Sequence, residues 1–495
     1  MLTRKNHCIA AKFSLLQLFL FHSIKLSKKY PSIVRAFANK KSLVIKDGDK
    51  NDSEGVETMK TLLAGIQWTA FMIASSIVAP IAVASLFGLS GGDAADFVQR
   101  TMFVLGLAGL LQILAGHRLP VNEGPAGLWW GVFALYAGLS TTLFDSAAET
   151  LKALQGALIV SGVIFVLLSA AGLIEKISRL FSPVVTGAYL LLLVLQLSKS
   201  FLIGMLGIGY TGSTVDLKIA GLSVAAVLCT FYFTRHRHPF IRQFGVLISI
   251  AAGWILFAVF GEAKPVAIEY GTIISLPKLF AYGAPIFDAG MTMTAVFVTM
   301  LLLTNMIASI RVVESVINQQ KKEVKANLKA GGFVTGINQV IGGAFGAIGP
   351  VPISGAAGFI SATGISARIP FIVGSLLVII SSCFPPVMGF FASIPVPVGY
   401  AVMFAVFTTM IGIAFSEIER EADTARIRTV LGVSLISGVG LMFVPPESFD
   451  GQPPIIVSLF NNGLIFGSIV AIIADRYTRH RSAKKEKASE EDMAV

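Results

Sequence analysis

A long series of apolar stretches, each about 20 residues in length, restricts most strongly what this chain can become. As a helix rising about 1.5 Å per residue, a stretch of that length crosses the roughly 30 Å hydrocarbon layer of a bilayer. Only 14% of the 495 residues are charged and 54% are hydrophobic, whereas about 25% of an ordinary soluble domain is charged. The chain therefore lacks the polar surface that water requires, and the sequence predicts an all-α polytopic membrane protein.

The apolar stretches predict 14 transmembrane segments. The third and the tenth are shorter than the rest. Their approximate bounds are 61–86, 97–116, 121–135, 152–173, 181–203, 216–234, 241–261, 292–316, 329–348, 351–364, 370–391, 396–415, 428–444 and 455–474.

The distribution of charge between these segments predicts their orientation. Loops after even-numbered segments are basic, with residues such as Lys176, Arg235 and Arg368, whereas loops after odd-numbered segments carry acidic residues such as Asp93 and Asp145 or are mixed. Since Lys and Arg collect on the cytoplasmic side, both termini are predicted to be cytoplasmic in a multi-pass protein of the plasma (cytoplasmic) membrane. The same reasoning accounts for the net charge of +11, so no nucleic-acid partner is expected.

The two ends of the chain differ in composition from its middle. Residues 1–58 are predicted to be a disordered or spurious N-terminal extension, because the run Phe13–Phe21 is too short to span a bilayer. Residues 59–476 form the predicted transporter domain, and 477–495 a cytoplasmic tail. The three cysteines are far apart and the six histidines fall in predicted loops or tails. No metal, disulfide, cofactor or enzymatic activity is therefore expected.

The two short segments resemble each other. The third contains LPVNEGPAGLWW from Leu119, and the tenth contains GPVPISGAAGFI from Gly349. Pro120 and Pro350 occupy corresponding places in the two halves of the chain. Proline removes a backbone donor and glycine weakens a helix, so neither segment should run as an uninterrupted helix. Because each half has an odd number of segments, the halves are predicted to be two inverted seven-span repeats.

Broken segments of this kind indicate a binding site. Non-helical backbone is tolerated at membrane depth only where protein or a water-filled cavity satisfies its N–H and C=O groups. Two such segments that meet in the membrane would offer these groups to a flat heterocycle with alternating donors and acceptors. The alternative is that the Pro and Gly residues only allow helices to pack closely.

Several motifs together resemble the nucleobase/ascorbate transporter family, which includes bacterial uracil and xanthine permeases. They are IQW at Ile66, GHRLPVNEGPAG at Gly116, GGAFGAIGPVPISGAAGFISATGISAR around segments 9 and 10, and ASIPVPVGY after segment 11. The resemblance implies short strands in segments 3 and 10 and a homodimer. It also implies a core of segments 1–4 and 8–11, about 60–175 and 290–392, and a gate of segments 5–7 and 12–14, about 180–262 and 395–475.

The chain departs from the family pattern at its habitual polar ligands. Where the family carries a carboxylate in segment 8 and a His or Asp one turn later, this chain has Asn305 and Ser309. In segment 10, Gly355 and Ala356 stand where the family shows Glu-Asn or Gln-Asn. Conversely, Glu123 lies inside the broken third segment, where an ionisable residue is by default a functional candidate. The alternative for Glu123 is an ordinary ion pair with Arg118 near the cytoplasmic mouth.

Together these residues predict a substrate site and a coupling group. Glu123 is the candidate for taking up a coupling proton. Secondary candidates are Gln67, Trp129 as a stacking partner for the base, and Arg311 with Glu314 as an i, i+3 pair. The residues expected to line the substrate site are Glu123, Gly124, Pro125, Ala126, Gly127, Asn305, Ser309, Ser354, Gly355 and Ala356.

The predicted function is that of a secondary active transporter in the lipid bilayer, whose small-molecule substrate is a nucleobase such as uracil, xanthine or another purine. Coupling to H⁺ is favoured over Na⁺ or uncoupled exchange. A first alternative is an anion transporter of the sulphate-permease type, which shares this architecture and uses facing helix N-termini. Those proteins usually append a soluble domain, whereas only a short tail follows segment 14. The second alternative is a channel or a non-transporting membrane receptor.

Overall fold

A computed structural model describes residues 50–89, 91–138, 140–174, 176, 182–238, 241–242, 244–263, 272–320, 323–449, 452, 456, 460 and 463–493. The chain divides into two compact units, Met1–Met59 and Lys60–Val495. The predicted N-terminal extension lies outside the described residues up to position 49. Apart from the start of the first helix, all the structure that follows belongs to the second unit.

The described chain is built almost entirely of helices, with two short strands. The first half contains α1 (Lys50–Ser76), α2 (Val78–Leu86), α3 (Gly91–Ala115), β1 (Glu123–Pro125), α4 (Gly127–Gly138), α5 (Ser140–Leu143), α6 (Ala147–Ala170), α7 (Pro183–Met205), α8 (Leu217–Thr234) and α9 (Gly245–Val259). The second half contains α10 (Ala289–Gln319), α11 (Leu328–Phe345), β2 (Pro350–Pro352), α12 (Gly355–Thr363), α13 (Arg368–Ser382), α14 (Pro385–Ala392), α15 (Val396–Ile418), α16 (Thr424–Met442) and α17 (Gly463–Met493), with a 3-10 turn at Pro446–Phe449.

Many of these helices are long and apolar enough to cross a membrane. Among the described residues eight qualify by length and hydropathy, or nine if a bent pair counts as one crossing. The prediction of a mainly helical, multi-pass membrane protein is confirmed at this level.

The bent pair differs from the predicted uninterrupted crossing at 370–391. α13 and α14 meet at an angle of 88°, because the helix ends at Ser382 and a new one starts with Pro385 at its first position. Proline favours the first turn of a helix, where its missing N–H is not needed, and cannot continue the preceding one. The prolines lie inside an apolar run, so hydropathy alone does not show the break.

The first and last described helices are longer than expected. α1 begins at Lys50 rather than near residue 61. α17 continues to Met493, through most of the predicted tail. That stretch is rich in Ala, Lys and Glu, which are strong helix formers.

Polar side chains cap many of the helices at their N-termini. Ser146 caps α6, because its hydroxyl accepts the N–H of Glu149 at 3.2 Å, and a Glu149 oxygen accepts the N–H of Asp145, the residue before the cap, at 3.1 Å. Capping satisfies donors that the helix cannot pair internally. The other capping side chains are Ser182 at α7, Asp216 at α8, Asp288 at α10, Asn327 at α11 and Asp423 at α16.

The helices pack in two groups. In the first group, α3 contacts α2, α11, α13 and α14, while α6 contacts α10 and α11. In the second group, α7 contacts α15, α16 and α17, and α8 and α9 contact each other and α15. The groups meet where α2 packs on α15, where α4 packs on α7, and where α10 touches α17.

Glycines permit the closest helix crossing of the first group. A β-carbon on Gly162 of α6 would lie 2.5 Å from the carbonyl oxygen of Gly336 on α11, and one on Gly336 would lie 2.7 Å from the carbonyl oxygen of Gly162. Any larger residue at either position would push the backbones apart. This contact holds α11 directly behind the strand that it precedes in sequence.

A segment without helix, Ser275–Asp288, runs across the ends of the first group; we call it the strap. Gln99 of α3 donates to the Ser275 carbonyl at 2.9 Å, and the strap donates from Phe280 to the Ala344 carbonyl at 2.7 Å and from Ile286 to the Lys152 carbonyl at 3.1 Å. The strap thereby ties together α3, α6 and α11.

A buried ion-pair network joins α16 to α17. Arg426 donates to Asp475 through Nε at 2.8 Å and through Nη2 at 2.5 Å, and its Nη1 lies 2.8 Å from Glu421. Arg479 also contacts Asp475, at 3.3 Å. Because Arg426 and Asp475 are both buried, either one alone would be an uncompensated charge.

Candidate functional site

The two interrupted segments meet in the structure. β1 and β2 pair antiparallel, with Glu123 opposite Pro352, Gly124 opposite Val351 and Pro125 opposite Pro350. Five of these six residues are buried, and Pro125 is half-buried. The prediction that segments 3 and 10 contain strands and lie together is confirmed. This pair is the centre of the candidate site.

Backbone and side-chain hydrogen bonds hold the strand pair at both ends and from behind. Ala126 donates its N–H to the Gly349 carbonyl at 3.0 Å, and Ile353 donates to the Asn122 carbonyl at 3.1 Å. From α11, Gln339 Nε2 donates to the Pro350 carbonyl at 2.7 Å. The strands are short because proline cannot donate to a ladder.

Each strand leads directly into a short helix. α4 starts at Gly127 and α12 at Gly355, so two helix N-termini begin beside the same strand pair. The first N–H groups of a helix have no internal partner, and they carry a partial positive charge. Ser354 and Gly355 are exposed, whereas Gly127 is half-buried and Ala356 is buried. The site therefore opens at the start of α12.

Glu123 is the only carboxylate of the strand pair. Its side chain is 3% exposed, and neither carboxylate oxygen has a hydrogen-bond partner among the described residues. Arg118 is exposed and makes no ion pair with Glu123. The alternative of an ordinary Glu123–Arg118 pair therefore finds no support in the geometry.

Further polar atoms without partners surround the strands. Among the described residues they include Asn122 Oδ1, Gln339 Oε1 and Trp129 Nε1, each buried. Gln339 and Trp129 both lie against the backbone of Gly349, since a β-carbon there would collide with each of them. Buried polar groups normally have partners, so this group of donors and acceptors next to one strand pair marks a place built for a ligand or for water.

An aromatic cluster borders the N-terminus of α12. Trp68 packs against Phe359 with ring centroids 4.2 Å apart, and Phe71 packs against Phe359 at 4.9 Å. The Phe71 ring is 3.5 Å from the position of a β-carbon on Gly355. The site thus combines free backbone donors with aromatic faces, and such faces stack favourably on planar rings.

The expected polar face of α10 is present. Ser309 Oγ lies 3.5 Å from Asn305 Oδ1, with Ser309 buried and Asn305 half-buried. α10 packs against both β2 and α12. These two residues therefore lie on a helix that borders the strand pair.

The secondary candidates are dispersed. Arg311 Nη1 donates to Glu314 Oε2 at 2.7 Å, and Glu314 Oε1 accepts the N–H of Ala326 at 3.0 Å. This arrangement ties the end of α10 to the segment before α11. Gln67 is half-buried on α1 and Trp129 is fully buried on α4.

Sequence reasoning missed three polar residues at or near the site, namely Asn122, Gln339 and His117. His117 was predicted to lie in a loop, but it is fully buried after α3. Its Nδ1 accepts the N–H of Leu119 at 3.1 Å, and burial lowers the pKa of His117 to about 3. It is therefore a neutral structural residue at pH 7. Within the described residues no group of three or more His, Cys, Asp or Glu side chains is placed to hold a metal ion.

Comparison with known sequences gives consistent relatives. The model of a family described as Permease family matches residues 59–447. The chain is 46% identical over 432 residues to "Putative purine permease YwdJ" of Bacillus subtilis, covering 86% of this chain and 98% of the relative. It is 25% identical to a xanthine permease of the same organism over 88% of this chain and 97% of the relative, and 23% identical to the uric acid transporter UacT of Escherichia coli over 88% and 90%.

Solved structures share the fold at low identity. The transmembrane domain of the cyanobacterial bicarbonate transporter BicA matches with a TM-score of 0.55 and 16% identity, over 84% of this chain and 96% of that one. The murine anion transporter Slc26a9 in its inward-facing state matches with a TM-score of 0.59 and 13% identity, over 91% and 75%. At these identities the similarity concerns the fold alone.

Proposed function

This chain belongs to the Permease family, and on that basis we propose that it is a secondary active transporter of a nucleobase, with a purine as the favoured substrate. Its relatives are named purine, xanthine and uric acid permeases. The observation that carries the proposal is the pairing of β1 with β2, which gathers unpartnered buried polar atoms beside two helix N-termini.

Recognition of the base follows from the chemistry of that site. A purine presents alternating N–H and C=O groups at its edges and a flat apolar face. The backbone of Gly124–Gly127 and Ser354–Ala356 supplies carbonyl acceptors for the edges, and the first N–H groups of α4 and α12 supply donors. Asn305 and Ser309 supply neutral polar groups from α10, and Phe71 with Phe359 supplies faces for the ring. A ligand with the wrong pattern of donors and acceptors would leave buried polar groups of the site unpaired. The free-energy cost of those unpaired groups gives the site its selectivity.

Transport requires movement of one part of the protein against another. The proposed arrangement is 14 segments in two inverted repeats, with a core of segments 1–4 and 8–11 that moves against a gate of segments 5–7 and 12–14. The two helix groups described above support this division, since they meet through few elements. A homodimer, with both termini cytoplasmic, completes the proposal.

Coupling is assigned to Glu123. Its carboxylate is buried and has no cation partner within the described residues, and in this proposal it takes up and releases the coupling proton, so H⁺ symport is the proposed mode and Na⁺ the alternative. Binding of the base next to Glu123 would then depend on its protonation. This dependence links the gradient to the substrate without a metal or cofactor.

The proposal is tested by uptake into proteoliposomes. Purified protein is reconstituted and given radiolabelled uracil, xanthine, guanine, adenine, hypoxanthine and sulphate, with and without an inward pH gradient. Saturable purine uptake that the gradient accelerates is expected. Sulphate uptake without base uptake would instead indicate an anion transporter, for which the two helix N-termini beside the strand pair would supply partial positive charge. Flux that does not saturate would indicate a channel.

A further inference from the structure

A cleft of about 640 Å³ lies between the two helix groups, away from the strand pair. α2, α3 and α14 form one wall; the residues after α7 and the start of α15 form the other. No residue of β1 or β2 lines it. Its walls include the loops after predicted segments 1, 5, 7 and 11, which places its mouth on the side predicted to be away from the cytoplasm. The polar residues of its lining include Asp96, Gln99, Arg100, Tyr210, Ser275 and Lys278.

Arg100 is the unusual member of this lining. It is 4% exposed, and its Nε is buried and has no hydrogen-bond partner in the part of the chain that the structure describes. Its Nη2 donates to the Tyr282 hydroxyl at 2.6 Å, and its guanidinium lies 4.9 Å from the centre of the Tyr282 ring. Among the described residues no carboxylate oxygen lies within 4.0 Å of its nitrogens. A buried arginine normally has an anionic partner, because an isolated charge is expensive to desolvate.

Tyr282 does not neutralise this charge. Burial raises the pKa of Tyr282 to about 12, so its hydroxyl is a neutral acceptor at pH 7 and not a phenolate. Asp96 lines the cleft four residues before Arg100 but makes no ion pair with it, and Lys278 adds a second positive charge. The charged side chains that line the cleft, Asp96, Arg100 and Lys278, sum to one positive charge. Asp93 is not part of the lining, but its charge also acts on Tyr282.

We propose that Arg100 anchors an outer binding site for a planar organic anion, namely the anionic form of a purine, which the guanidinium would hold through an edge carrying delocalised negative charge. Guanidinium groups are suited to such edges because their N–H groups lie in one plane and point in fixed directions. The proposal rests on the proposed function and extends it, because it adds a capture site that the base meets before the strand pair.

The strap connects this site to the strand pair. The Tyr282 ring lies against Gly346, where a β-carbon would be 2.9 Å from the ring. Gly346 has a φ of +60° and ends α11, just before β2 begins at Pro350. An anion that draws Arg100 away from Tyr282 would therefore change the contact between Tyr282 and Gly346, four residues before β2. This contact gives the outer site a physical route to the inner one.

The test compares an anionic with a neutral purine. Uric acid is a monoanion at neutral pH, whereas hypoxanthine is neutral. We expect Arg100→Gln to raise the KM for uric acid uptake at least tenfold and to change the KM for hypoxanthine less than twofold. Arg100→Lys should fall between the wild type and Arg100→Gln. Arg242→Gln, which removes an exposed charge on the predicted cytoplasmic side, is the matched control and should change neither.

Equilibrium binding of radiolabelled uric acid to the purified full-length protein in detergent supplies a second measurement. If Arg100→Gln does not fold, Tyr282→Phe is the second variant, because it removes the hydroxyl that accepts from Arg100 and keeps the charge of Arg100. Equal effects of Arg100→Gln on both purines, or none on either, would overturn the outer site and leave the proposed function intact. Arg100-dependent binding of uric acid without uptake of any base would overturn the proposed function and leave the site intact. Binding that does not depend on Arg100 would overturn the site.

Discussion

Glu123 and Pro352 are direct partners in an antiparallel strand pair, although one comes from each half of the chain. This relationship places a buried carboxylate, which has no hydrogen-bond partner among the residues that the structure describes, beside the segment that leads into α12. Everything proposed for transport depends on that meeting point, so the first predictions concern it.

Glu123→Gln should abolish uptake or make it independent of the pH gradient, while insertion and folding remain intact. The amide keeps the shape of the side chain but cannot exchange a proton. Initial uptake rates with and without an inward pH gradient measure the effect, and size-exclusion elution in detergent checks the fold. Glu323→Gln, at an exposed position, is the control. Unchanged gradient-driven uptake in the Gln variant would remove Glu123 from the mechanism.

Gly124→Val should reduce uptake at least tenfold. A β-carbon on Gly124 would lie 2.7 Å from Ile353 Cδ1, so the larger side chain must displace the paired segment, at about 1–3 kcal/mol. The double variant Gly124→Val with Ile353→Ala should recover part of the activity, because it removes the colliding atoms. Gly138→Val, at a position with nothing within 4 Å, serves as the control. A double variant no better than the single one would contradict the packing explanation.

Arg426→Leu should lower the apparent Tm of the detergent-solubilised protein, by an amount that corresponds to about 3 kcal/mol. It leaves buried Asp475 with only the 3.3 Å contact to half-exposed Arg479. Arg426→Leu combined with Asp475→Leu should be more stable than Arg426→Leu alone, because no uncompensated charge remains. Arg420→Leu breaks an exposed pair with Glu417 and should cost less than about 1 kcal/mol. Equal losses for Arg420→Leu and Arg426→Leu would refute the special role of burial.

The start of α8 should loosen in acid. Asp216 accepts the N–H groups of Ile219 and Lys218, and these hydrogen bonds, with that of Ile219 first, hold the pKa of Asp216 below its ordinary value of 3.8. Because the pKa is depressed in the folded state, the stabilisation is complete above about pH 4 and is lost as the pH falls through the folded pKa. Amide hydrogen exchange at Lys218 and Ile219, corrected for the intrinsic rate, should accelerate below pH 4 in the wild type. In Asp216→Asn this extra acceleration should be absent, and its persistence would exclude the carboxylate as the cause.

The meeting of the two strands could be predicted from the sequence because proline and glycine act locally. Pro120 lies shortly before β1 and Pro350 is the first residue of β2; each interrupts an apolar run, and an interrupted segment in a membrane needs a partner. By contrast, the role of Gln339 depends on which way the Pro350 carbonyl points, and only the packing of α11 against β2 decides that. The burial of His117 depends likewise on Gly331 of α11, which approaches the His117 side chain.

Arg100 is a candidate residue that the sequence shows and that the predicted site does not include. Arg100 lies near the start of the second predicted segment, where an ionisable residue is a functional candidate from sequence alone. The tyrosine that accepts its hydrogen bond lies far along the chain, in the strap. The sequence shows the charge of Arg100, but it does not show that no counter-ion lies beside it among the described residues. The bend between α13 and α14 could not be predicted from hydropathy, because a hydropathy average over this apolar run does not show the prolines that end the helix.

Three of the six residues of β1 and β2 are prolines. The strand pair therefore has only half of the backbone N–H groups that six other residues would provide, but all six carbonyls. Its hydrogen-bond donors are thus fewer than its acceptors. A ligand with N–H groups, such as a purine, can donate hydrogen bonds to the unpaired carbonyls. A fully deprotonated oxyanion such as sulphate has only acceptors and cannot.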